Sequence, residues 1–128
     1  MASGLILIDT SVLIDYYRKT DKANSTLISL LRSGFVFAVS VITKYEIYSG
    51  ATQDQINFWN QIFETIQILP FDELDVNIAV EINAVLKRKR KQIHIADLFI
   101  AATAVNHKIS ISTLNKKHFE RIDNLTIL

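Results

Sequence analysis

The feature that most narrows the choice of fold is the first apolar run: Leu5, Ile6, Leu7 and Ile8 are contiguous and stop at an acid, Asp9. Unbroken branched aliphatics suit a strand covered on both faces, as in a parallel sheet, and do not suit an antiparallel strand with one wet face. Parallel strands need long crossovers, and helical patterns supply them here. The spacing predicts further strands over 35–39, 66–69, 109–112 and 125–128. Helices are predicted from Ser11 through Tyr17, over 22–32 with Gly34 closing it, and over 41–49 with Gly50 closing it. Others follow a Thr52/Gln55 capping box through Trp59 and Phe63, run from an Asp72 cap into the basic stretch 87–91, and cover 93–105 and 116–121. The alternation predicts a single α/β domain over residues 1–128. Its expected form is a three-layer sandwich, with a central, mainly parallel sheet of about four or five strands flanked by helices.

Composition removes several function classes. The chain has no cysteine, which excludes a disulfide framework, thiolate zinc sites, iron–sulfur clusters and a cysteine nucleophile. Gly4, Gly34 and Gly50 lack the spacing of a phosphate-cradling or dinucleotide-binding loop. His94, His107 and His118 are scattered, and no Gly-x-Ser-x-Gly elbow occurs, so acyl-transfer hydrolysis has no support. No apolar run approaches the roughly 18 residues of a membrane span, and the first one lacks the basic flank of a signal peptide. A cytoplasmic protein without membrane attachment is expected. The net charge of +1 gives no whole-molecule field, so any attraction for a polyanion must be local.

The placement of the acids is harder to explain as structure alone. Asp9 follows directly on the buried strand, and parallel sheets bind ligands beyond the carboxyl ends of their strands. Its simpler role is to cap the next helix, worth about 1 kcal/mol, a task Ser11 can also fill. Asp97 shares an apolar stripe with Ile93, Ile100, Ala101 and Ala104, and no Lys or Arg lies one turn away on its helix. Glu46 shares a stripe with Ile42 and Tyr45; its simpler role is a capping box with Thr43. Buried acids are rare unless paired or neutralised. If Asp9, Glu46 and Asp97 meet within about 5 Å, each like-charge pair repels by roughly 3 kcal/mol at an effective dielectric near 20. A divalent cation removes that conflict, and hard oxygen donors favour Mg²⁺ or Mn²⁺ over zinc.

Three segments in this order and separation resemble the PIN domain, and within it the VapC-type toxin ribonucleases of bacterial and archaeal toxin–antitoxin pairs. They are Leu5 to Asp15 with Asp9-Thr10-Ser11 at its centre, Val41 to Gly50 with Thr43 and Glu46, and the alanine-rich stretch Ile93 to Ala104 around Asp97. The resemblance spans essentially the whole chain. It implies that Asp9, Glu46 and Asp97 are the metal-binding acids, with Asp9 and Asp97 as direct ligands of Mg²⁺ or Mn²⁺ and Glu46 acting through water or as a base. It further implies that Ser11 orders the site and that Thr113 and Asn115 position phosphate or water. Asn115 stands where the family often has Asp, so the site carries one negative charge fewer. The implied activity is endonucleolytic hydrolysis of RNA that leaves 5′-phosphate and 3′-hydroxyl ends. The implied partners are RNA, a small antitoxin protein over or near the acidic pocket, and a second copy of the chain.

Two other readings compete. A PIN-fold module could bind RNA or antitoxin without turnover if Asn115 weakens the metal site. A haloacid-dehalogenase-like phosphatase also places an Asp after its first strand, but wants a second Asp where this chain has Ser11. The run 87–91 can meet a phosphate backbone or simply complement the macrodipole of a helix end. Tyr16, Tyr17, Arg18, Tyr45 and Tyr48 fit a core, a dimer interface or base stacking, with core or interface the better match.

Overall fold

The computed structural model describes residues 4–128. Four parallel strands, β1 (Leu5–Ile8), β2 (Val36–Ser40), β3 (Gln67–Leu69) and β4 (Ile111–Ser112), form one sheet in the order β3-β2-β1-β4. Leu7 pairs with Ala38 on one side and Ile111 on the other, so β1 is central, as its unbroken aliphatic sequence requires. The last predicted strand, over 125–128, is reduced to a single parallel bridge between Ile111 and Ile127.

Side-chain alternation along β1 divides the core into two halves. Leu7, with Ala38, Leu69 and Ile111, packs on helices α5 (Glu73–Arg88) and α6 (Ile95–His107). Ile6 and Ile8, with Val39, pack on α1 (Thr10–Arg18), α2 (Thr26–Arg32), α3 (Val41–Gly50) and α4 (Ile56–Thr65) through Leu13, Leu27, Ile47 and Trp59. Each fully buried aliphatic side chain contributes about 1.5–3 kcal/mol. Tyr16 and Tyr17 join this second half by packing on Phe58 and Trp59, which assigns them to the core. A short α7 (Lys116–Phe119) follows β4 and buries Phe119.

Local chemistry moves several boundaries. The helix expected over 22–32 is broken: Lys22–Asn24 forms a 3₁₀ turn, and buried Ser25 starts α2 by accepting from the Ile28 amide at 3.4 Å. Asp9, not Ser11, caps α1. The Thr52/Gln55 capping box is present but opens a 3₁₀ turn, Gln53–Gln55, before α4 begins. Gly50 is the last residue of α3, not the residue beyond it. Gly34, by contrast, does end α2: its φ of 90° lets the Phe35 amide reach back to the Leu30 carbonyl. Arg90 does the same work after α5 at φ 56°, without glycine's freedom, and the Lys91 amide bonds the Leu86 carbonyl at 2.9 Å.

The topology fixes where a ligand belongs. The chain leaves β1 for β2 and β3 on one side and returns to β4 on the other, so the strand order reverses between β1 and β4. The crevice beyond the carboxyl ends of strands at such a reversal is the general binding position of parallel sheets. Asp9 and Thr113 are the residues that leave β1 and β4 there.

Candidate active site

Asp9 is 1% exposed, yet it lines a pocket of ≈ 630 Å³ together with Ser11, Glu46, Asp97 and Asn115. Its carboxylate is held in place by neighbours. The Thr10 amide donates to Oδ1 at 2.8 Å, while Ser11 Oγ at 2.8 Å and Thr113 Oγ1 at 2.7 Å both donate to Oδ2. Those hydroxyls are themselves anchored by the chain after β4: the Leu114 amide donates to Ser11 Oγ at 3.0 Å and the Asn115 amide to Thr113 Oγ1 at 2.9 Å. The strand-end loops therefore brace one another through Asp9. Thr113 is buried and its hydroxyl is committed to Asp9 and the Asn115 amide, so it orients the acid and is not available to position phosphate or water.

Glu46 comes to the pocket from α3. The capping-box alternative fails, because Ser40 caps this helix and Thr43 is fully buried beneath Thr10. Thr10 Oγ1 lies 3.1 Å from Thr43 Oγ1 and donates to Glu46 Oε1 at 2.7 Å. One hydroxyl on α1 thus aims an acid on α3. The capping role of Asp9 is real, but it accounts for only part of that carboxylate's surroundings.

Asp97 lies in the first turn of α6, after the His94 side chain has capped the helix by accepting from the Ala96 amide at 3.3 Å. Burial, then the charges of Asp9 and Glu46, raise the Asp97 carboxyl above its ordinary range, and His118 acts against them. His118 Nδ1 is 3.5 Å from Asp97 Oδ2 without a hydrogen-bonding geometry. Among the described residues no Lys or Arg forms an ion pair with Asp9, Glu46 or Asp97.

Asn115 sits at the pocket wall, exposed, and its side chain does not cap α7. Sequence reasoning gave no role in the pocket to Asp15, which ends the first motif, or to Arg18, and left Lys19 and Leu114 aside; all four line it. Asp15 also accepts from the Thr26 amide at 3.1 Å and ties α1 to the start of α2, a contact with no local mark in the sequence. The basic run 87–91 is exposed but lines no part of this pocket, and Lys89 is engaged with Asp123 at 3.2 Å.

The donor set fits a hard divalent cation in chemistry: carboxylates of one sign share a pocket, and one of them is destabilised by the other two. It is not a closed cage, since among the described residues no group of three His, Cys, Asp or Glu is drawn together as a metal cluster.

The fold and this strand-end pocket of acids define a class. The PIN domain family model matches residues 6–125, and the chain belongs to that family. It is 37% identical over 121 residues to "Ribonuclease VapC1" of Methanocaldococcus jannaschii, covering 91% of this chain and 80% of that protein. It is 29% identical to "Ribonuclease VapC10" of Mycobacterium tuberculosis, covering 94% of this chain and 90% of that one. Among solved structures, FitAcB from Neisseria gonorrhoeae superposes with a TM-score of 0.80 at 27% identity, over 96% of both chains. VapBC2 from Rickettsia felis, bound to a DNA fragment from its promoter, shares the fold with a TM-score of 0.83 at 22% identity, over 97% of both chains. Membership of this family displaces the phosphatase reading, whose second Asp is replaced by a serine that donates to Asp9. None of the described helices is long and apolar enough to cross a membrane.

Proposed function

We propose that this protein is a Mg²⁺- or Mn²⁺-dependent endoribonuclease and the toxin of a toxin–antitoxin pair. The observation that carries the reading is the pocket shared by Asp9, Glu46 and Asp97 without a Lys or Arg partner among the described residues. The relatives named as VapC ribonucleases support the substrate class, and the solved VapBC complexes support an antitoxin partner. A second copy of the chain as homodimer partner is the family's expectation, checked by light scattering.

Asp9 and Asp97 would hold the ion. When bound, the ion supplies positive charge at the phosphodiester and a water of lowered pKa for in-line attack. Ser11 and Thr113 both donate to Oδ2 of Asp9 and so fix the carboxylate in one orientation. Thr10 holds one oxygen of Glu46, and the other oxygen would take the proton of the attacking water. No covalent enzyme intermediate is required. The side-chain amide of Asn115 offers an uncharged contact for phosphate or water at the pocket wall.

Purified protein incubated with structured RNA in Mg²⁺ should cut it, and both EDTA and Asp9→Asn should abolish the cut. Cleavage that survives either treatment overturns the proposal.

A further inference from the structure

A phosphodiester strand that reaches Asp9, Glu46 and Asp97 meets more negative charge than one divalent ion offsets. The remaining attraction has to come from cations beside the pocket. The most obvious candidates by sequence, over 87–91, do not line it. Arg18 and Lys19, at the end of α1, do. A second depression of ≈ 400 Å³ shares Leu114 and Asn115 with the first and is walled by Lys116, Lys117 and His118. The two depressions adjoin at Leu114 and Asn115, and each has basic residues in its lining.

Not all of these cations are available. Lys19 is 3.7 Å from Asp15, and His118 faces Asp97. Arg18, Lys116 and Lys117 have no acidic partner among the described residues, and all are exposed. Between them stands Leu114, 53% exposed, an apolar side chain at the junction of the two depressions.

We propose that Arg18 on one side and Lys116 with Lys117 on the other hold the phosphates that flank the cut bond of a single-stranded RNA segment crossing over Leu114 and Asn115. The proposal rests on the nuclease reading and gives its substrate a path. A single strand is the form tested because Asp9 is almost wholly buried and a flexible backbone bends toward it more readily than a rigid duplex. Arg18 offers a planar fork for phosphate oxygens, whereas the two lysines act as point charges. Leu114 provides apolar surface on which a splayed base can rest.

The test compares Arg18→Gln, Lys116→Gln/Lys117→Gln and the combined variant with the wild-type chain on a short unstructured RNA and on the same RNA annealed to its complement. Cleavage gives KM and kcat, and fluorescence anisotropy with the labelled single strand gives affinity as a function of salt. Arg18→Gln should raise KM about fivefold to tenfold with kcat nearly unchanged. The combined variant should lower the slope of log affinity against log salt by about 2, from roughly 0.7 per lost phosphate contact. Lys87→Gln/Arg88→Gln is the control and should change neither. Unchanged KM and salt slope in the combined variant, a drop in kcat alone, preference for the duplex, or an effect confined to the control pair each overturns the path. A chain that binds the single strand through these residues but never cuts it supports the path and sinks the nuclease reading, so the two failures are distinguishable.

Discussion

Asp9 and Asp75 are equally hidden, each 1% exposed, and they do opposite things. Asp75 is an acid whose oxygens are both satisfied by the fold: Oδ2 accepts from the Asp72 amide at 2.9 Å in a capping box, and Oδ1 accepts from the Asn106 side chain at 3.0 Å, tying α5 to α6. It faces no pocket among those lined by the acids of the site. Asp9 is also well bonded, but its carboxylate opens onto a cavity it shares with Glu46 and Asp97. Burial of an acid therefore does not mark function. Convergence of acids without Lys or Arg partners does, because at neutral pH the fold is left with repulsion that a bound cation relieves.

The sharpest way to break the comparison is to neutralise each acid in turn. Asp9→Asn should reduce cleavage by about a thousandfold while leaving the thermal midpoint near that of the wild type. Asp75→Ala should do the reverse, lowering stability by about 2–3 kcal/mol through a lost cap and a stranded Asn106 amide, with activity per folded molecule retained. Thr113→Val keeps shape and removes the hydroxyl behind Asp9; a loss of roughly 10- to 100-fold in activity or metal affinity is expected for such a supporting contact. Kinetics and urea titration on the same preparations separate these outcomes.

Parts of this contrast were readable in the sequence and parts were not. The unbroken aliphatics of β1 placed a parallel sheet and put Asp9 at a strand end, because burial on both faces leaves a mark on every residue of a short strand. Asp72 was readable as a cap because capping is local. The burial of Asp75 was not, since its second partner, Asn106, lies on another helix 31 positions away. Thr10 as the residue that aims Glu46 was hidden for the same reason, with 36 positions between them. Ser25 shortened a helix read from Lys22, because the apolar residues that carried that reading, Leu27, Ile28, Leu30 and Leu31, all follow it and do not mark where the helix is capped. The terminal strand shrank to one bridge, Ile127 to Ile111, beside a β4 that is itself only two residues long.

The raised carboxyl of Asp97 adds a pH signature. A carboxyl whose folded pKa lies above its unfolded value favours folding when protonated: the contribution is fully present below the unfolded pKa and is lost as pH rises through the folded one. Without added metal, the wild-type chain should therefore gain stability on acidification from neutral pH toward the ordinary carboxylate range. Asp97→Asn should remove that gain and be the more stable of the two at neutral pH. An identical pH dependence of the urea midpoint in both chains would show that Asp97 feels no such repulsion.

The smallest expected effect lies away from the acids, at two of the three left-handed helix ends, the third being Lys108 after α6. Gly34 and Arg90 complete the same type of turn, and only the arginine is strained there. Arg90→Gly should stabilise the chain by about 1 kcal/mol and leave cleavage unchanged, as read by thermal denaturation and the RNA assay. Loss of cleavage in that variant would bring the basic run back into the site.

Direct metal binding tests the central claim. Titration of the metal-free chain with Mn²⁺, followed by calorimetry, should show saturable binding that Asp9→Asn and Asp97→Asn abolish and Asp75→Asn preserves. Binding that is absent from the wild-type chain, or that persists undiminished when Asp97 is neutralised, would contradict the account.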